Sequence, residues 1–291
     1  MSLSERLARA FCTAVRFSEL RVANAVFHSS PVPLRHLLKR RVFGSTLVLD
    51  VSREAQQLVY LSGERVVPER HFVKRLLRRG MHVVDVGANI GYYTSMFQSV
   101  IGPEGHVTCI EPSRENLVEL HDNIRENGWT NVTLHECAVG NQTATVGLRS
   151  GVNSGVVALS EGYLQATMCP LDSLVPDKCD FLKIDVDGYE WLVLQGARDV
   201  IERDRPILFL EYHPELVGRH GGSLTEILPF LRSFYDKLEF FDIPSIQPFR
   251  SKIASRYFDA DTVRQIDITG VPEDQLHDGR LHGTLWIVAT K

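Results

Sequence analysis

The sequence predicts an α/β fold in which a mostly parallel sheet carries helices on both faces. The first observation is that short apolar runs, expected to be strands, alternate along the chain with segments of helical spacing. The second is that most of these runs are continuously apolar, as strands buried on both faces are. The third is size, because 291 residues with 44% hydrophobic content suit one large domain with attachments.

A basic helical extension is predicted over residues 1–45, before the alternation begins, and the domain proper over 46–291. The extension holds eight Lys and Arg against two Glu, or +6, so a total of −4 leaves −10 for the rest. Leu3, Leu7 and Phe11 share one helical face with Ala14, which could lie on an anionic membrane surface or pack against the domain.

Composition also limits the compartment and the partners. No apolar run approaches the ~18 residues of a membrane span, and arginines interrupt the one candidate signal core. Five cysteines without CxxC spacing predict reduced thiols in a cytoplasmic protein. Because the domain is acidic and the basic extension has few interleaved aromatics, we expect no nucleic-acid partner.

The first elements of the domain are predicted to be a hairpin and a helix. Leu47, Leu49 and Val51, followed by Leu58 and Tyr60, alternate as the two arms of a β-hairpin would. A proline at position 68 and a glycine at position 80 then bracket a helix over roughly 68–79.

The remaining elements alternate as strands and helices. Seven strands are expected near 82–86, 106–111, 132–136, 181–186, 206–211, 238–242 and 285–289. Helices are expected near 91–101, 114–127, 189–201 and 223–236, the last of which opens with Ser223 and Glu226 spaced as a capping box. The stretch 243–283 is too long for a hairpin connection, so we expect a lid or an added subdomain there.

A glycine-containing loop lies in the stretch VDVGANIGYYTS, residues 84–95, where the first of these strands turns into a helix. Ligands of open α/β sheets bind at such turns. A dinucleotide fingerprint would place glycines at 87, 89 and 92, but the chain has Gly87, Asn89 and Tyr92 there. The carboxylate of Asp85 would also repel a pyrophosphate and attract a sulfonium. These features argue against a nicotinamide oxidoreductase.

Glu111, in the motif CIEPS, is a second candidate anchor, 20 residues after Gly91. A carboxylate at the end of the second strand can accept hydrogen bonds from both ribose hydroxyls of NAD or S-adenosylmethionine (SAM). The structural alternative is a side chain beside a helix N-cap. Glu111 by itself therefore does not distinguish the two cofactors.

Seven ordered motifs resemble those of the FkbM family of SAM-dependent methyltransferases. They are DVGANIGYYTS, CIEPS, NVTLHECAVGN, NSG at 153–155, PLDSL, FLKIDVDGYE and ILFLEYHPE, and the resemblance covers roughly residues 46–215. It implies a class I, Rossmann-like, doubly wound sheet of seven strands with the last antiparallel. It also implies SAM as cofactor and, as for most members, a hydroxyl of a sugar, lipid or secondary metabolite as methyl acceptor.

The same resemblance implies cofactor contacts residue by residue. The methionine end of SAM would be held by Asp85, Gly87, Ala88, Asn89 and Gly91, its ribose by Glu111, and its adenine by the backbone at Cys137 and Ala138. The chain departs from the family pattern in having Asp187 for the usual Glu and Tyr189 where a small residue is common. Segments 1–45 and 243–283 lie outside the resemblance.

Catalytic candidates cluster at the ends of the fourth and fifth strands. Methyl transfer from a sulfonium is a direct displacement, so the protein mainly aligns the nucleophile, and a hydroxyl must also lose its proton. Lys183, Asp185 and Asp187 alternate onto one face, as Glu211 and His213 do. We expect a largely neutral His213, with its ordinary pKa near ~6.5, to be the base, or Asp185 to bind the hydroxyl or take its proton. Simpler roles are charge neutralisation for Lys183 and a loop cap for His213.

A metal is an open alternative at these same positions. Asp185, Asp187, Glu211 and His213 form an oxygen-rich set that could hold Mg²⁺. Spacing along the chain does not determine ligands from two strands, and we expect no required metal.

The acceptor is expected to be a small molecule or glycan that binds under the loop RSGVNSGVV, residues 149–157. Asn153 and Ser154 are predicted substrate contacts together with Glu211, although this loop could equally be a flexible hairpin tip. The alternative function is a non-catalytic methyltransferase-like module that binds SAM or a partner. The sequence does not determine the oligomeric state.

Overall fold

The structure is a computed structural model that describes residues 37–62, 73–149, 155–158, 160, 164–244, 264–266 and 283–291. The amphipathic face predicted before residue 15 lies outside these residues, so its membrane contact stays a prediction. Within the described part of the chain, every helix is too short or too polar to cross a membrane.

An antiparallel hairpin and a helix precede the main sheet. Leu37–Val42 (β1) pairs with Ser45–Asp50 (β2), and Glu54–Ser62 (α1) follows. The predicted hairpin of 47–51 with 58–60 is therefore wrong, because its second arm is helical. Among the helix residues whose burial is described, Gln56, Val59 and Tyr60 are buried, and this spacing of three and four residues is helical. The part of the extension that the structure describes is therefore a strand and not helical, because β1 pairs with β2. The hairpin spans both sides of residue 45, and the domain boundary predicted there stays a prediction.

A sheet of eight strands forms the centre of the described structure. In spatial order its strands are Arg264–Ile266 (β13), Lys237–Pro244 (β12), Gly283–Thr290 (β14), Ile207–Tyr212 (β11), Phe181–Ile184 (β10), His82–Val86 (β3), His106–Ile110 (β4) and Val132–His135 (β5). The strands from β11 to β5 are parallel, and β14 lies antiparallel between β11 and β12. The predicted α/β class with an antiparallel last strand is confirmed. The eighth strand, β13, comes from the segment 243–283 and pairs antiparallel with β12 at the sheet edge.

Helices pack on both faces of this sheet. They are Tyr92–Ile101 (α2), Arg114–Asn127 (α3), Glu190–Gly196 (α4), Arg198–Asp204 (α5), Pro214–Val217 (α6) and Leu224–Arg232 (α7). The helix expected over 189–201 is two helices, because the backbone at Ala197 (φ −110°, ψ 10°) leaves helical angles. Ser223 caps α7 by accepting a hydrogen bond from the Thr225 amide, 3.1 Å away. In the predicted helix 68–79, the described residues 73–76 are helical.

Alternate strand residues bury themselves on opposite faces of the sheet. On one face Phe181 lies between Phe97 of α2 and Phe209 of β11, with ring centroids 5.7 and 6.5 Å away. On the other face Leu182 packs in a core that includes Val193 of α4. Both faces are therefore dry, as a parallel sheet with helices on each side requires.

A second sheet of four short strands stands beside the first. Its strands are Ala138–Val139 (β6), Ala144–Leu148 (β7), Val156–Val157 (β8) and Leu164–Cys169 (β9), in the spatial order β6, β9, β7, β8. It joins the end of β5 to the start of β10 along the chain.

Strand order places a switch point between β3 and β10. The chain moves from β3 outward through β4 and β5, and then returns to the other side of β3 as β10 and continues to β11. Connections on the two sides of such a point leave in opposite directions, which opens a crevice at the carboxyl ends of the strands. The glycine loop after β3 lies at this point.

Gly196 tests how tightly α4 packs against the chain near β6. A Cβ atom at position 196 would lie 1.9 Å from the Gly140 carbonyl oxygen, whereas one at Gly218 would meet no atom within 4 Å. We expect Gly196→Ala to lower the free energy of unfolding by about 1–3 kcal/mol, because the backbone has to move apart. Gly218→Ala is the matched control and should change it by less than about 0.5 kcal/mol. Urea unfolding of both variants measures the difference, and equal stabilities would contradict this packing.

Candidate active site

A cavity of about 360 Å³ opens at the switch point. Its walls come from the glycine loop, the ends of β4 and β10, the start of α3 and the small sheet. The lining residues that matter below are Ala55, Gly87, Asn89, Glu111, Asn116, Cys137, Ala138, Arg149, Gly155, Asp185, Asp187, Tyr189 and His213. Seven of the fourteen predicted site residues thus line one cavity.

Gly87 is glycine because of the neighbouring strand. Its φ is +78°, and a Cβ there would lie 1.9 Å from the backbone carbonyl oxygen of Asp185. This contact allows the loop after β3 to run directly beside the end of β10. Asn89 also has a positive φ, of +52°, and its amide donates a hydrogen bond of 2.9 Å to Glu111 Oε2.

Glu111 is the carboxylate that closes the opposite side of the loop. Its side chain is 5% exposed, and Oε1 accepts hydrogen bonds from the Ser113 amide at 2.9 Å and from Asn116 Nδ2 at 3.0 Å. Burial raises the pKa of Glu111, although the hydrogen bonds from Ser113, Asn116 and Asn89 oppose the increase. These bonds fix the orientation of the carboxylate towards the cavity.

Asp85 and Lys183 form a buried ion pair beneath the loop. Lys183 Nζ lies 3.1 Å from Asp85 Oδ1 and donates to the Gly87 carbonyl at 3.0 Å, and both side chains are 0% exposed. Thr94 Oγ1 donates to Asp85 Oδ2 at 2.9 Å. Burial alone would lower the pKa of Lys183, but the charges of Asp85, Asp185 and Glu211 outweigh it and raise the pKa.

This pair corrects one expectation from the sequence. Asp85 was expected to repel a pyrophosphate, but its charge is compensated by Lys183 and it does not line the cavity. Ala88, Gly91, Lys183 and Glu211 likewise lie outside the cavity lining. Their predicted contacts with a ligand stay predictions. The ion pairs of Lys183 with Asp85 and Asp185 fit the charge-neutralising role that was its simpler alternative.

His213 stands at the cavity wall among carboxylates. Its Nδ1 lies 2.7 Å from Oε1 of Glu190, a side chain that is 0% exposed, and its Nε2 lies 3.9 Å from Asp187 Oδ1 and 4.0 Å from Glu211 Oε1. Burial would lower the pKa of His213, but the hydrogen bond and charge of Glu190, with the charges of Asp185 and Glu211, raise it to about 10. The expectation of a largely neutral imidazole is therefore wrong, because these carboxylates stabilise the imidazolium.

Three of the side chains around His213, counting the imidazole itself, lie close enough together to bind one metal ion. Single ligand atoms of Asp185, Glu211 and His213 all lie within 4.8 Å of one another. Asp187, the fourth member of the predicted magnesium set, is outside this group. The ammonium of Lys183 already contacts one of these three side chains, because its Nζ lies 3.5 Å from Asp185 Oδ2. The magnesium hypothesis remains a prediction.

The predicted substrate loop is only partly described. Asn153 and Ser154 lie outside the described residues, and their contacts stay predictions. The residues that flank them, Arg149 and Gly155, line the cavity. A backbone hydrogen bond of 3.0 Å from Arg149 N to Gly155 O joins the two ends of the loop.

Two functional candidates were missed from the sequence. Glu190 ends the motif FLKIDVDGYE, and it accepts hydrogen bonds from His213 and, at 3.1 Å, from the Gly188 amide. Asn116 lies five residues after Glu111 and contacts it through its side chain. Both are polar residues in the first turn of a helix that follows a strand of the main sheet, and this position was the signal in the sequence that could have identified them.

The chain matches the family model for the methyltransferase FkbM domain over residues 85–238. It is 38% identical to a protein-L-isoaspartate O-methyltransferase of Ignicoccus hospitalis over 58 residues, which are 20% of this chain and 28% of that protein. The crystal structure of methyltransferase FkbM from Methylobacillus flagellatus has 20% identity and a TM-score of 0.48, over 80% of this chain and 54% of that one. M. jannaschii TYW2 in complex with AdoMet has 14% identity and a TM-score of 0.44, over 89% and 87%.

The strand order and the glycine loop at the switch point define a Rossmann-like methyltransferase fold. The family model covers more than half of the sequence. This chain belongs to the FkbM methyltransferase family, and S-adenosylmethionine is its expected cofactor.

The raised pKa of His213 predicts how stability depends on pH. The imidazolium is favoured in the folded state, so its contribution is complete below the unfolded pKa near ~6.5 and is lost as pH rises towards a folded pKa of about 10. We therefore expect the difference in unfolding free energy between the wild type and His213→Asn to narrow over that interval. Urea unfolding at several pH values measures it. A difference in unfolding free energy that stays constant with pH would contradict the raised pKa of His213.

Proposed function

We propose that this protein transfers the methyl group of SAM to a hydroxyl oxygen of a small molecule or glycan. One observation carries the proposal: Glu111, suited to a ribose, lines the same cavity as Asp185 and His213, which are suited to a hydroxyl. The cofactor and the acceptor would then meet within one enclosed space, as direct displacement requires.

The cofactor residues fit SAM by their chemistry. The carboxylate of Glu111 would accept hydrogen bonds from the ribose hydroxyls, and Cys137 and Ala138 would border the adenine. Gly87 and Asn89 would lie along the methionine end. Bound SAM supplies an activated methyl group, and the residues of the chain bind and orient it.

The charge around His213 favours a cationic ligand. Four carboxylates, those of Asp185, Asp187, Glu190 and Glu211, take part in the electrostatic environment of this one imidazole. An excess of carboxylates over cations makes this end of the cavity attractive to a positively charged sulfonium.

The chemical step would form a bond between the acceptor oxygen and the methyl carbon while the bond from that carbon to sulfur breaks. The electron pair of the broken bond stays on sulfur, which leaves as a neutral thioether, and the hydroxyl proton passes to a base. His213 in its neutral form would accept this proton on Nε2, and the charge of Asp185 would stabilise the imidazolium that results. Glu190 would hold the imidazole through Nδ1.

Cofactor binding is the first test of this proposal. Isothermal titration with SAM should show binding, and Glu111→Gln should weaken it about tenfold or more, because an amide replaces the charged acceptor of the ribose hydroxyls. Glu104→Gln, an exposed residue paired with Arg79, is the matched control and should bind as the wild type does. Equal affinities for all three proteins would contradict the ribose assignment.

Labelled methyl transfer is the second test. The protein, methyl-labelled SAM and fractionated glycan, lipid and small-molecule acceptors should yield a labelled product that survives alkali, because a methyl ether does not hydrolyse. An isoaspartyl peptide belongs in the panel, since the Ignicoccus hospitalis relative bears that name. A base-labile product would indicate a carboxyl acceptor instead. Binding of SAM without any transfer would favour the non-catalytic module.

The pH dependence of the labelled reaction tests the base. Only the neutral imidazole can accept a proton, so kcat/KM should rise with pH towards the pKa of His213, raised to about 10. Glu190→Gln removes a buried negative charge and should move this rise to lower pH. Glu136→Gln, an exposed partner of His121, is the control and should leave the profile in place. A profile that falls with pH would exclude His213 as the base.

A further inference from the structure

An N-terminal segment, residues 37–62, packs against the methyltransferase domain although it lies outside the matched family region 85–238. Lys39 Nζ forms an ion pair of 2.8 Å with Glu126 near the end of α3. Asn123 Oδ1 accepts a hydrogen bond of 2.7 Å from the Val48 amide. The segment is therefore attached along the length of α3.

Arg53 joins this segment to Asn116, a residue that lines the cavity. Its Nη1 donates a hydrogen bond of 2.9 Å to Asn116 Oδ1, and its Nη2 lies 3.1 Å from Glu115 Oε2 and 3.7 Å from Glu119 Oε1. Two residues further along the chain, Ala55 lines the cavity itself. The segment thus reaches the cofactor side of the domain.

Asn116 connects Arg53 to the carboxylate of Glu111. The same amide that accepts from Arg53 through Oδ1 donates through Nδ2 to Glu111 Oε1, at 3.0 Å. A guanidinium has only donors and a carboxylate only acceptors, so the two ends of the amide can face their partners in one orientation alone. The side chain of Asn116 is 6% exposed, so loss of either bond would leave a buried polar atom without that partner.

We propose that Arg53 is a positioning residue for the cofactor: through Asn116 it holds the Glu111 carboxylate in the orientation that binds the ribose hydroxyls of SAM. This inference rests on the proposed function, because it assumes that Glu111 binds the ribose. It adds that part of the cofactor site is supplied from outside the matched family region.

The alternative is that Arg53 only clamps the segment to α3 through Glu115 and Glu119. The two roles differ in what they do to the ligand. A clamp affects every ligand equally, whereas a positioning residue affects only ligands that carry the hydroxyls contacted by Glu111. The ribose is therefore the discriminating part of the cofactor.

The experiment compares two probes by isothermal titration: S-adenosylhomocysteine and its 2′,3′-dideoxy analogue. Arg53→Met should weaken binding of S-adenosylhomocysteine roughly tenfold and change binding of the dideoxy analogue less than about twofold, because the latter lacks the hydroxyls. Asn116→Ala, at the other end of the contact, should produce the same selective loss, and the double variant should lose no more. Lys39→Met, which removes another ion pair between the same segment and α3, is the matched control and should bind both probes as the wild type does.

Each remaining outcome would contradict either the positioning role of Arg53 or the proposed function. Equal losses for both probes, a loss shared by Lys39→Met, or unchanged binding in Asn116→Ala would show that Arg53 is only a clamp. If Arg53→Met fails to fold, Arg53→Lys replaces it, because a lysine keeps a cation for Glu115 and Glu119 but lacks the guanidinium fork that reaches Asn116 at the same time; a selective loss supports positioning, and unchanged binding of both probes contradicts it. If the wild-type protein binds neither probe, the proposed function itself fails. If it binds both probes equally well, the ribose assignment of Glu111 fails.

Discussion

The buried ammonium of Lys183 is the contact on which the site depends. It is paired with Asp85 at 3.1 Å and bonded to the Gly87 carbonyl at 3.0 Å, so it joins the end of β10 to the end of β3 and to the glycine loop. Removing one partner of a buried ion pair is costly, of the order of ~3–5 kcal/mol, because the remaining charge stays out of water. The pair therefore fixes the two strands between which the crevice opens, and it places Asp185 at the edge of the cavity.

Two layers of charge follow from this arrangement. In the lower layer, which lies beneath the loop, the charges of Asp85 and Lys183 neutralise each other. The upper layer surrounds His213 with carboxylates, and their charge raises its pKa. A bound sulfonium would lie near the carboxylates that stabilise the His213 imidazolium. Its positive charge should lower the pKa of His213, so we expect cofactor binding to favour release of the proton. Binding of the methyl donor and preparation of the base would then be linked by simple electrostatics.

The main elements from residue 82 onward follow from local pattern, because continuous apolar runs and helix-ending glycines report directly on a buried parallel sheet. Glu111, Asp185 and His213 could also be placed at the cavity from their positions at strand ends. The hairpin could not be assigned correctly, since an apolar residue two positions before Tyr60 imitates strand alternation within a segment that is helical. The burial of Asp85 also escaped prediction, because it depends on Lys183, which lies 98 residues away in the chain.

The sequence by itself determined the α/β class, the order of the seven strands predicted for the main sheet, the family and the carboxylate at the end of the second of these strands, because periodicity and motif spacing are local properties. Only the tertiary structure decided which charges are paired. It pairs Lys183 with Asp85 and His213 with Glu190, and it joins Arg53 to Asn116 by a hydrogen bond. The physical reason is that a pKa and a hydrogen bond depend on separations of a few ångströms between groups that the chain brings together only when it folds.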